Sequence, residues 1–186
     1  MKNIITLLIL ASSLGLKAQI VLDKNGNVVE PKWIKKEVAH NVYVQFPKEP
    51  HFDSKPEKRL SLYATQGNST DCMFTSMIRN GAMADYDNIK NLPLNQQHEK
   101  FDNELNKGIK DFIQDAVIIS PITTTNIKNY IVKEVAYTLN NHGKESICYA
   151  KFLLRDNTAF IIQCSMDSKY ACSNDKDKFL NSITIL

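Results

Sequence analysis

Between Lys144 and Met166 the chain reads KESICYAKFLLRDNTAFIIQCSM. Two runs of strand-forming residues, 147–154 and 158–164, flank Arg155-Asp156-Asn157, where Asp and Asn tolerate the positive φ of a tight turn. Apolar side chains alternate onto both faces of each run, so neither face is cleanly polar. A hairpin that is apolar on both faces belongs inside a sheet that is covered on both sides. The pattern therefore predicts a β-hairpin that forms the inner pair of a covered antiparallel sheet.

Residues 1–18 have the features of a secretory signal peptide. A basic start at Lys2 is followed by the apolar run 4–10, which only Thr6 interrupts, and by small residues up to a cleavage point after Ala18. The run is too short for a membrane anchor, because crossing a bilayer takes about 20 apolar residues. No cysteine follows the cleavage region, so a bacterial lipid anchor is not expected either. We expect a product without a transmembrane anchor that is periplasmic or secreted.

The remaining chain is expected to hold one domain. Residues 19–39 are interpreted as an N-terminal arm, and residues 40–186 as a single domain with its own core. The formal net charge is +3, and Lys2 and Lys17 belong to the predicted signal peptide, so the exported part is close to neutral. A nearly neutral chain with mixed charges lacks the basic patch that binds nucleic acid, and it is not strongly attracted to anionic membranes.

Helical and extended patterns are mixed along the domain. Residues 93–116 predict a helix whose apolar side chains form one stripe with a 3.6-residue period, at Phe101, Leu105, Ile109, Phe112 and Ile113. Gly108 inside this helix costs roughly 1 kcal/mol relative to alanine, which indicates a close packing partner or a local weakness. A second helix is predicted near the C-terminus with Ser173 as its N-cap, and strand patterns occur at 42–46, 60–65, 72–78, 117–119 and 130–139. These elements indicate an α+β fold.

Several short motifs occur in a recognisable order. Phe46-Pro47-Lys48-Glu49-Pro50 follows a strand, Asn129-Tyr130 precedes another, and the long hairpin is followed by a closing FLNSITI at 179–185. This order resembles the PsbP-like family, which includes a Ran-binding nuclear import factor and bacterial envelope proteins of the DcrB type. The resemblance covers about residues 40–186. It implies an α/β/α sandwich, in which an antiparallel sheet of about six strands is flanked by helices on both faces. It also implies protein binding without a shared catalytic residue, and structural roles for the matching positions Phe46, Pro47, Tyr130, Phe179, Leu180 and Ser182.

Four cysteines remain after export, at positions 72, 148, 164 and 172. Export permits disulfides, and four cysteines allow three pairings. Cys164 ends the second arm of the hairpin and Cys172 precedes the last helix, so the loop between them predicts a disulfide. Cys72 and Cys148 lie in strand patterns, where they either bond to each other or remain buried thiols.

Catalytic and metal motifs are sparse. A thiol enzyme would pair Cys72 or Cys148 with a histidine such as His142, but no motif supports that pairing. His98 and Asp102 share a helix face, yet a zinc site takes three or four ligands. The acidic residues near Asp85 lack the spacing of a calcium loop. No cofactor and no metal are therefore predicted.

The segment 80–92 loses all periodicity and is read as a loop. Its residues Met83, Tyr86, Ile89 and Leu92 make it less polar than a spacer requires, and loops on a rigid scaffold often carry binding contacts. The sequence therefore predicts an exported, non-enzymatic binding or accessory protein of the cell envelope, in which the concave edge of the sheet or the loop 80–92 contacts a protein or a small hydrophobic ligand. The alternative is a small exported hydrolase or thiol enzyme that uses a Cys/His pair.

Overall fold

The structure is a computed structural model, and it describes residues 32–67, 72–114, 116–141, 143–167 and 173–186. The predicted signal peptide 1–18 and residues 19–31 of the predicted arm lie outside the described residues, as do His142 and Cys172. Within the described ranges the strands are β1 Ile34–Ala39, β2 Val42–Phe46, β3 His51–Lys55, β4 Leu60–Gln66, β5 Cys72–Asn80, β6 Val117–Ile118, β7 Thr123–Ile127, β8 Tyr130–Asn141, β9 Lys144–Arg155, β10 Thr158–Asp167 and β11 Thr184–Ile185. The helices are α1 Tyr86–Ile89, α2 Leu94–Phe112 and α3 Ser173–Leu180, with a 3₁₀ turn at Pro56–Lys58.

The hairpin prediction is confirmed. Strands β9 and β10 pair in antiparallel register from Arg155 and Thr158 onward, around a turn in which Asp156 has a φ of 53°. They lie in the middle of an eight-stranded antiparallel sheet. Seven strands follow the order β3-β4-β5-β10-β9-β8-β6, and the eighth, β7, pairs with a different part of β8 from the part that pairs with β6. The hairpin is therefore the inner pair of the main sheet, as its two apolar faces indicate.

The predicted α/β/α sandwich is wrong. One face of the main sheet is covered by α2, whose buried Leu105 and Ile109 belong to one core cluster. The other face is covered by a second, three-stranded sheet with the order β1-β2-β11, together with the eight-residue helix α3. The sheet is thus not flanked by helix layers on both faces. Pairing of β2 with β11 joins residues about 140 positions apart, and no local pattern in the sequence reports such a contact.

The second sheet also changes the place of the predicted N-terminal arm. Strand β1 pairs with β2, and its Val38 is buried in the same cluster as Val44 and Phe46. Residues 34–39 therefore contribute to the core.

Helix α2 follows its predicted pattern closely. The predicted range 93–116 contains the observed Leu94–Phe112, and the stripe at Leu105, Ile109 and Ile113 is buried against the sheet. The predicted loop 80–92 contains the short helix α1, which leads directly into α2.

Candidate functional site

The segment 80–92, predicted to bind a partner, is hydrogen-bonded to the turn of the β9–β10 hairpin. The backbone N–H groups of Ala82 and Met83 donate to the backbone oxygen and the Oδ1 of Asn157, at 3.0 and 2.8 Å. Met83 and Ile89 are each only 4% exposed and pack against α2 and the sheet. Tyr86 is half-buried beside them. Met83 and Ile89 therefore serve the core, whereas Tyr86 keeps part of its side chain exposed.

The cysteines do not pair as predicted. Cys148 and Cys164 are free, buried thiols, whereas Cys72 is disulfide-bonded. The partner of Cys72 lies outside the described residues, where Cys172 is the remaining cysteine of the chain. The predicted bond Cys164–Cys172 is therefore absent. Cys148 does not bond to Cys72 and is instead a buried thiol, the other of the two alternatives for this residue. Cys72 packs on the face covered by the second sheet and Cys148 on the face covered by α2, so the main sheet separates the two sulfurs.

Cys148 belongs to a buried polar group under α2. The hydroxyl of Tyr137 donates to Oε1 of Gln163 at 2.6 Å, and Nε2 of Gln163 lies 3.9 Å from the Cys148 sulfur. All three residues are at most 1% exposed. Burial raises the pKa of Cys148 to about 12 and that of Cys164 likewise to about 12, and it raises the pKa of Tyr137 well above its ordinary value. Each of these groups is thus neutral at physiological pH.

We expect Cys148 and Cys164 to resist alkylation by iodoacetamide in the folded protein at pH 8. The thiolate is the reactive form, and a pKa of about 12 leaves almost none of it until the pH approaches that value. Unfolding in denaturant without a reductant should expose both thiols to labelling, whereas Cys72 should require reduction first. Peptide mapping by mass spectrometry checks the pattern. Rapid labelling of the folded protein, or a peptide that links Cys164 to Cys172, would contradict it.

Asp102, one of the candidate metal residues, has other partners. Asp102 lies 2.5 Å from the ammonium of Lys133, which is 6% exposed, and its other carboxylate oxygen accepts from Asn106 at 2.9 Å. His98 lies one turn earlier on α2. Among the residues that the structure describes, no group of three His, Cys, Asp or Glu side chains is arranged to hold a metal ion.

A cavity of about 180 Å³, here named the helix cavity, lies between α2 and the main sheet and is partly open to solvent. Its floor comes from the strands and its roof from the second half of α2. Apolar residues dominate the lining, while Arg79, Glu104, Asp111 and Gln114 are the polar residues beside the opening. The lining consists of Leu60, Met77, Arg79, Ala82, Met83, Glu104, Leu105, Gly108, Asp111, Phe112, Gln114, Tyr137, Leu139, Phe152, Leu153, Leu154, Ala159, Phe160 and Ile161.

Gly108 lies in the helical roof of this cavity. A Cβ at this position would meet no atom within 4 Å outside its own helix, so no close packing partner accounts for the glycine. Glycine in a helix interior costs about 1 kcal/mol relative to alanine. The result of having glycine here is that the part of α2 that lines the cavity has no side chain at position 108.

A second cavity of about 170 Å³, here named the tip cavity, lies under the first half of α2 beside the β7–β8 and β9–β10 turns. Its lining is more polar than that of the helix cavity. Burial and the nearby Asp156 carboxylate raise the pKa of Tyr86. The lining consists of Tyr86, Leu94, Gln97, His98, Phe101, Leu105, Asn129, Tyr130, Ile131, Leu154 and Asp156.

Sequence reasoning identified Met83 and Tyr86 but missed the cavities that they line. Each cavity is lined by residues from several helices, strands and turns, and only the order of the strands in the sheet brings these residues together. One local signal was available, because Gly108 interrupts an otherwise regular amphipathic helix.

Comparison with known proteins assigns neither a family nor a function. No family model and no curated protein sequence matches the chain. Similar solved structures include a Pseudomonas aeruginosa protein of unknown function, PA94, with a TM-score of 0.43, 10% identity and coverage of 74% of this chain and 84% of that one. A Bacteroides thetaiotaomicron protein has a TM-score of 0.45, 11% identity and coverage of 78% and 45%. LpqN of Mycobacterium tuberculosis, involved in cell envelope biogenesis, has a TM-score of 0.34, 8% identity and coverage of 89% and 82%.

These matches are weak, with every TM-score below 0.5. None of the three is described as PsbP-like, so that resemblance stays a prediction. Among the described helices, none is both long and apolar enough to cross a bilayer.

Proposed function

We propose that this chain is an exported, non-enzymatic binding protein of the cell envelope that holds a small apolar ligand in the helix cavity. The observation that carries the proposal is the cavity itself, with about 180 Å³ of space between α2 and the sheet and a mainly apolar lining. An engineered apolar cavity of about 150 Å³ in another protein binds benzene. The export part of the proposal rests on the signal peptide predicted at residues 1–18.

The thiol-enzyme alternative lacks a nucleophile among the described cysteines. Burial keeps Cys148 and Cys164 protonated because it raises the pKa of each to about 12. The sulfur of Cys72 is held in a disulfide. A thiolate at neutral pH requires a lowered pKa instead. A binding role therefore agrees better with the chemistry of these side chains.

Toluene is a suitable probe because it is apolar and close in size to the cavity. We expect saturating toluene to raise the Tm of the protein by about 2–5 °C, since a ligand that binds only the folded state stabilises it. The substitution Gly108→Leu should abolish this rise, because Gly108 lines the cavity and a Cβ there meets no atom within 4 Å outside its own helix, which leaves a leucine room to occupy the space. Differential scanning calorimetry measures the shift.

Lys110→Leu is the matched control, because Lys110 is exposed on the same helix and does not line the cavity. It should keep the full toluene shift. The proposal fails if toluene leaves the Tm of the wild-type protein unchanged, or if both leucine variants lose the shift equally.

A further inference from the structure

The two cavities lie along one face of α2. The residues of α2 that line the tip cavity are 94, 97, 98, 101 and 105, and those that line the helix cavity are 104, 105, 108, 111 and 112. Together they form a single stripe at helical spacing. With a rise of 1.5 Å per residue, this stripe runs about 27 Å along the helix. The two spaces therefore follow each other under one helix.

A thin apolar wall separates the two spaces. Of the residues that the structure describes, Leu105 from α2 and Leu154 from β9 line both cavities. Each is 5% exposed, and both belong to the same buried cluster. The wall thus consists of two aliphatic side chains, which change rotamer more readily than the backbone moves.

The tip cavity, under the first half of α2, has a polar lining. Its polar residues are Tyr86, Gln97, His98, Asn129, Tyr130 and Asp156. The carboxylate of Asp156 lies 3.8 Å from Nε of Arg155 and raises the pKa of Tyr86. Because no described Lys or Arg lines this cavity, an anionic head would lose water there without gaining a countercharge, and a cationic head would compete with Arg155 for Asp156. An uncharged hydrogen-bonding group would find both donors and acceptors there.

We propose that the ligand is a single-chain amphiphile whose apolar chain fills the helix cavity and whose uncharged, hydroxyl-bearing head lies in the tip cavity. Leu105 and Leu154 turn aside to let the chain pass between the two spaces. This inference rests on the proposed function of the helix cavity, and it adds the length and the head group of the ligand.

Isothermal titration calorimetry with 1-alkanols tests the length. Affinity should rise roughly fourfold with each methylene from hexanol to decanol, since each buried methylene contributes a similar free energy. Decanoate and decylamine should bind at least about tenfold more weakly than decanol, because the carboxylate meets no described Lys or Arg in the lining and the ammonium must compete with Arg155 for Asp156. An affinity that stops rising at hexanol, or equal binding of the three ten-carbon ligands, would overturn the inference.

Tyr86→Phe tests the head group. Loss of the hydroxyl should weaken decanol binding roughly 2- to 10-fold and leave toluene binding unchanged. Tyr63→Phe is the control, because Tyr63 packs with the other core cluster and lines neither cavity. Unchanged decanol binding in Tyr86→Phe would contradict the placement of the head. If toluene still binds the wild-type protein, such a result leaves the proposed function standing, whereas absence of toluene binding removes both.

Discussion

Replacing Phe179 with alanine is expected to lower the free energy of unfolding by about 3–5 kcal/mol. Phe179 is fully buried on α3, and its ring centroid lies 5.4 Å from that of Phe46 and 4.9 Å from that of Phe74. Phe46 belongs to the three-stranded sheet and Phe74 to the main sheet. The substitution thus leaves a cavity where both sheets and α3 meet, and it removes two aromatic contacts.

Urea denaturation followed by circular dichroism measures the loss for Phe179→Ala. Phe52→Ala is the matched control, because Phe52 is 52% exposed and stacks on Tyr63 at a similar centroid distance of 4.8 Å. The control should cost about 1 kcal/mol or less. A loss below 1 kcal/mol for Phe179→Ala, or equal losses for the two variants, would show that α3 does not join the sheets as described.

The second large effect is expected at Asp102. Its carboxylate is the countercharge of Lys133, whose ammonium is nearly buried and also donates to Oγ1 of Thr124 at 2.9 Å. Asp102→Ala leaves this ammonium without a countercharge. We expect a loss of about 3 kcal/mol, at the low end of the range for buried pairs because the Asp102 side chain is 35% exposed.

A second substitution separates the charge from the packing. In Asp102→Ala/Lys133→Met the buried charge is removed, so most of the lost stability should return. Asp87→Ala is the control, because Asp87 pairs with Lys90 at 2.6 Å on the surface, where an ion pair contributes at most about 1 kcal/mol. If the double variant is no more stable than Asp102→Ala, the ion pair is not the reason for the loss.

The elements with local signals were predicted well. The hairpin β9–β10 consists of two apolar runs around a turn that accepts positive φ at Asp156, and helix α2 has an apolar stripe with a 3.6-residue period. The second sheet was missed because β11 is only two residues long, Thr184–Ile185, and its pairing with β2 is non-local. The helical layer implied by the family resemblance was consequently assigned to a face that β-strands cover.

The candidate site was harder to predict from the sequence than the fold was. Met83, Tyr86 and Ile89 stood out as apolar residues in a loop, but their burial depends on where Asn157 and α2 lie in space. The cysteine pairing was mispredicted for a related reason. Proximity along the chain suggested Cys164 with Cys172, but Cys164 is a free thiol and Cys72 is the disulfide-bonded cysteine. Cys72 lies opposite Met166 near the end of β10, a position that spacing along the chain does not reveal.

The amino-acid sequence by itself determined the central hairpin, the amphipathic helix and the predicted export signal, because each depends on the chemistry of neighbouring residues. Only the tertiary structure decided what covers each face of the main sheet, which thiols stay free and where space remains. These features depend on segments that are far apart in the chain; Gly108 of α2, for example, lines the same cavity as Met77 of β5 and Ile161 of β10. The apolar period of α2 predicts which of its faces is buried, but only the order of the strands decides which side chains lie beneath that face and how much space they leave.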